Sequence, residues 1–111
     1  MSRFLFFLTG PTVSELHRDE LRAYGYTMFR AGVLLADATL AAPENGFSLT
    51  PGSEPATLAA PPAELTAFWV VDVSNHYEAR EWATRAPLAV DERLDALRIH
   101  RDGEESTGTP A

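Results

Sequence analysis

Two side chains in this 111-residue sequence carry proton-transfer chemistry in an apolar setting, His17 and Asp37. His17, Leu21, Tyr24, Met28 and Ala31 recur at steps of four, three, four and three, which places them on one helical face. A His there titrates near neutrality and suits general acid or base catalysis. The structural alternative is a first-turn His that bonds a nearby carbonyl at the domain edge. Asp37 is the only charge between Val33 and Leu40. A carboxylate inside an apolar strand must find a partner, reach solvent or shift its pKa. Alternation groups it with Val33, Leu35 and Thr39, so it serves either as a general base on a cavity face or as half of a salt bridge to an Arg. Tyr24, Phe6 and Trp69 supply aromatic surface that can line a ligand cavity, and Phe6 and Trp69 suit a plain interface equally well. Trp82, among Ala79, Ala83 and Ala86, reads as core.

Other chemistries lack their residues. The chain has no Cys, which excludes thiolate nucleophiles, disulfides and Cys-ligated metals. His76 and His100 stand at no ligand spacing, so no metal is expected. No phosphate-cradling Gly-rich loop, nucleotide fingerprint or Gly-x-Ser-x-Gly elbow occurs, and no cofactor is expected. All nine basic residues are Arg against sixteen acidic ones, a net charge of −7 that makes nucleic acid a poor partner. Arg18, Arg22 and Arg30 form a row interleaved by Glu15, Asp19 and Glu20, the pattern of a self-neutralising solvated face. Phe4 to Leu8 is too short for a secretory h-region, and no stretch nears the roughly 18 apolar residues of a membrane span. A cytoplasmic protein is expected.

The elements that position these residues follow from punctuation and period. Arg3 to Leu8 reads as a buried strand stopped by Gly10-Pro11. Thr12 with Glu15 forms a capping box that opens a helix closed by Gly32. Val33 to Leu40 is a second strand, followed by the turn signature Pro43-Glu44-Asn45-Gly46. Phe47 to Thr50 and Ala56 to Ala60 are weaker strands, and Thr66 to Val73 is the strongest on composition. Asn75 with Glu78 caps a second helix, in which Glu81 and Arg85 pair on the exposed side before Pro87. A last strand is expected at Ala96 to Arg101. Residues 1–101 thus form a single domain, and residues 102–111, carrying −3 of the net charge, form a disordered acidic tail. The order predicts an α+β, ferredoxin-like domain with an antiparallel sheet and both helices on one face.

In Arg3 to Leu8 and in Thr66 to Val73, both alternating sets of side chains are apolar. Two helices cover one face only, so the other calls for a second copy of the chain. A homodimer enclosing a largely apolar cavity is expected, with a small molecule as its ligand.

The segments Arg3-Phe-Leu-Phe-Phe-Leu, Phe29-Arg-Ala-Gly-Val-Leu-Leu, Ala67-Phe-Trp-Val-Val-Asp-Val and Tyr77-Glu-Ala-Arg-Glu-Trp-Ala-Thr-Arg-Ala-Pro87 resemble the YCII-related proteins, especially their DGPF-domain branch. The resemblance spans about residues 3 to 101 and implies a dimeric α/β barrel of ferredoxin-like type. The Asp-Gly-Pro-Phe segment itself is missing, replaced by Ala59-Ala-Pro-Pro-Ala-Glu-Leu65. The resemblance also implies a polar pair of a His on the first helix and an Asp near the next strand. His17 and Asp37 match it by type and region, although the family His aligns nearer Leu21. The function expected is cofactor-independent acid/base chemistry of isomerase, cyclase or lyase type on an apolar or aromatic metabolite. The alternative is a non-catalytic ligand-binding or protein-interaction accessory module.

Overall fold

The computed structural model describes residues 1–10, 14–40, 46–57 and 65–100. Their order is β1 (Ser2–Thr9), α1 (Glu15–Arg30), β2 (Leu34–Thr39), β3 (Phe47–Ser48), β4 (Ala56–Thr57), β5 (Leu65–Val73), α2 (His76–Thr84) and β6 (Arg93–Arg98). Four strands form one antiparallel sheet in the order β2-β5-β1-β6, and β3 pairs with β4 in a separate ribbon. This α+β arrangement of four antiparallel strands and two helices is compatible with a ferredoxin-like fold.

Alternation along β1 and β5 sends Phe4, Phe6, Leu8, Trp69, Val71 and Val73 into the core. Both helices cover that face. Leu21, Tyr24, Gly25 and Met28 of α1 and Ala79 and Trp82 of α2 are buried, and the Tyr24 hydroxyl donates to the Trp82 carbonyl at 2.6 Å. The tyrosine ring meets Trp69 edge-on, with centroids 5.2 Å apart. Leu5, Phe7, Phe68 and Val70 point to the opposite face, which no described element covers, and are only half-buried.

The helix ends follow from local chemistry. Ser14 caps α1, its side chain accepting the His17 amide; the expected cap, Thr12, lies outside the described residues. At the other end the Val33 amide bonds the Met28 carbonyl and the Gly32 amide bonds Phe29, a Schellman closure that requires the positive φ of Gly32, 78°. Asn75 caps α2 as expected, while Glu78 reaches back to the Ser74 amide, one residue earlier than the cap.

Three expectations are corrected. The last strand begins at Arg93 and ends at Arg98, because pairing with β1 from Thr9 to Phe4 recruits Arg93 and Asp95, polar residues that an edge strand tolerates. Residues 43–45 of the turn signature lie outside the described residues; β2 pairs with β5, and β3 with β4. Arg85 turns from Glu81 to lie over the Trp82 ring, 4.2 Å from its centroid. In β2 an irregularity between Leu34 and Ala36 breaks the strict alternation: Leu34 stands opposite Val71 and Asp37 opposite Trp69. Leu35 is consequently exposed, and Asp37 and Thr39 share the helix side with Leu34. The tail at residues 102–111 lies outside the described residues.

Candidate functional site

Asp37 reaches the helix side through that irregularity and meets α1 at a residue with no side chain. A Cβ on Gly25 would stand 2.5 Å from Asp37 Oδ2 and 3.3 Å from Trp69 Nε1. Gly inside a helix costs about 1 kcal/mol relative to Ala, so its presence in the middle of α1 signals a close approach. Here the approaching groups are a carboxylate and an indole N–H. Beside them a cleft of about 270 Å³ is lined by Leu21, Arg22, Asp37, Ala38, Thr39 and Trp69.

Both polar groups are open to a ligand. Asp37 is exposed and has neither a hydrogen bond nor an ion pair to any described residue. Trp69 is only 2 % exposed, and its indole N–H likewise makes no hydrogen bond to a described residue. Since no enclosed side-chain nitrogen or oxygen among the described residues lacks a partner, that N–H must open onto the cleft. Arg22, at the rim, is held by Asp19 at 2.8 Å.

His17 lies elsewhere. Its Nδ1 is 2.8 Å from Glu20 Oε1 and its Nε2 is 2.7 Å from Glu92 Oε1, so each ring nitrogen faces a carboxylate. The imidazole pKa is raised, first by the bond to Glu20 and further by Glu92, against an opposing effect of burial. The Glu92 side chain is 2 % exposed, and the same Oε1 accepts the Ala89 amide at 2.7 Å. His17 thereby ties the start of α1 to the segment before β6. At 1.5 Å per residue, the Gly25 position against Asp37 lies about 12 Å farther along the helix. The expected pairing of His17 with Asp37 is not formed.

The aromatic candidates divide. Trp69 lines the cleft. Tyr24 is committed to Trp69 and to the Trp82 carbonyl, and burial raises its hydroxyl pKa well above the usual value. Phe6 is enclosed in the core opposite Trp69. Neither Phe6 nor Trp69 points to the uncovered sheet face, so a cavity between two sheets would be lined by Leu5, Phe7, Phe68 and Val70 instead. No group of three His, Cys, Asp or Glu with metal-binding geometry occurs among the described residues. None of their helices is long and apolar enough to cross a membrane.

Glu92 and Gly25 are the participants that sequence reasoning missed. A mid-helix Gly is a usable signal. Glu92 has none, because its partner is 75 residues away in the chain. In comparisons with known proteins, the chain matches no family model and no curated protein.

Proposed function

We propose that this chain is a small-molecule enzyme of the cofactor-independent acid/base class, an isomerase, cyclase or lyase acting on an apolar or aromatic metabolite. One observation carries the reading: an Asp37 carboxylate without a described partner borders a cleft floored by Trp69. In that position Asp37 is the general base, Trp69 orients the ligand, and His17 is a positioning residue that fixes the helix carrying Gly25. The resemblance to the YCII-related proteins supports the same class of function. It also supports a cytoplasmic homodimer through the uncovered sheet face, where Leu5, Phe7, Phe68 and Val70 are the apolar centre.

The test is turnover of a defined mixture of aromatic and alicyclic metabolites, followed by NMR. Asp37→Asn keeps the shape and removes the base, and is expected to lower turnover by about 10²-fold or more while binding persists. Undiminished turnover overturns the assignment. A second reading, a non-catalytic ligand-binding accessory module, is favoured by the engagement of both His17 nitrogens with carboxylates. On that reading wild type and variant bind the same metabolite and return it unchanged.

A further inference from the structure

We propose that the notch formed by Gly25, Asp37 and Trp69 recognises a neutral amide-type group, a carboxamide or lactam whose N–H meets Asp37 and whose carbonyl meets the Trp69 indole. The proposal rests on the reading of this cleft as a ligand site and specifies what the ligand must offer.

The argument is one of complementarity. A carboxylate accepts hydrogen bonds only, and the indole donates only. They lie close together, since Asp37 Oδ2 and Trp69 Nε1 stand 2.5 and 3.3 Å from the position a Gly25 Cβ would take, and both residues line the same cleft. A group that satisfies both must carry a donor and an acceptor side by side, which is the hydrogen-bonding edge of a primary amide or lactam. A cation satisfies Asp37 and leaves the buried indole N–H facing a positive charge. An anion satisfies the indole and is repelled by Asp37. The Trp69 N–H, which makes no hydrogen bond to a described residue and opens onto the cleft, is the decisive observation, because a ligand carbonyl there gives the indole an acceptor in place of solvent. Leu21 and Trp69 are the large apolar residues among those lining the cleft. The volume, just below the roughly 300 to 1,000 Å³ of sites that hold drug-sized ligands, restricts the ligand to about one ring and its polar edge.

Gly25 is the specificity-determining position. Any side chain there displaces the Asp37 carboxylate and fills the notch.

The chain has two Trp, so its indole region holds two ¹H–¹⁵N resonances, and Trp82→Phe identifies that of Trp69. Benzamide, benzylamine and benzoate are titrated against the full chain at pH 7. Benzamide is expected to shift the Trp69 indole resonance, with benzylamine and benzoate at least about tenfold weaker. Gly25→Ala abolishes the shift. Asp37→Ala, on an exposed strand residue that the fold does not require, weakens it by about tenfold. A preference for benzylamine or benzoate overturns the proposal, as does an unmoved Trp69 resonance or a benzamide response equal in all three proteins. The outcome is separable from that of the enzyme reading. Benzamide recognition with undiminished Asp37→Asn turnover defeats the base and leaves the recognition standing, whereas base-dependent turnover without an amide response does the reverse.

Discussion

At His17 two carboxylates favour the charged form of one imidazole and raise its pKa, and stability must therefore depend on pH. The folded pKa is raised above the ordinary 6.5, so the stabilisation is fully present below 6.5 and is lost as pH rises through the folded value. Urea midpoints are expected to fall across that window in the wild type and to vary less in His17→Asn. A wild-type slope retained by the variant would assign the effect to another group. Tyr24→Phe removes a buried hydroxyl whose acceptor, the Trp82 carbonyl, retains the Arg85 amide as a second donor. A loss of about 1 kcal/mol in urea denaturation is expected. At this scale the sequence was half legible. The types of His17 and Asp37 announced proton chemistry, but their partners did not follow from type, because Glu92 and Gly25 reach them only through tertiary approach.

Among the elements, the legible parts are those set by local physics. Asn75 accepts the Glu78 amide at 3.0 Å as a capping residue should, and Asn75→Ala is expected to cost about 1 kcal/mol, read by thermal or urea unfolding. Gly32 has open space around its Cα, so Gly32→Ala costs only the strain of a positive φ, about 1 kcal/mol. A negligible change in either variant would remove the corresponding account of how its helix ends. The strands β1 and β5 and both helices lie close to where periodicity put them. The last strand is displaced because its extent is dictated by register against β1, and the β2 irregularity because it is a property of pairing with β5. That irregularity directs Asp37 toward Gly25.

At the scale of the whole fold, the face of the sheet that no described element covers is the largest physical asymmetry among the described residues. Leu5, Phe7, Phe68 and Val70 stand together there, ringed at one end by Arg3 and Asp72, 3.9 Å apart, and at the other by Arg93 and Asp95. The proposed homodimer buries that centre, and Val70→Asp is expected to convert a dimer to a monomer in sedimentation at micromolar concentration. A wild type that sediments as a monomer removes the dimer from the proposal. The two-sided apolar character of β1 and β5 was readable directly, because alternation assigns side chains to faces before any fold is known. Composition likewise excluded thiol chemistry, and local signals placed the Asn75 cap and the Gly32 closure. Which face the helices cover, and hence that Phe6 and Trp69 are core while Leu5 and Phe68 are not, was decided by packing. So was the separation of His17 from Asp37, for a helix carries two residues of one face along its axis, and only the strand laid against it determines which of them it meets.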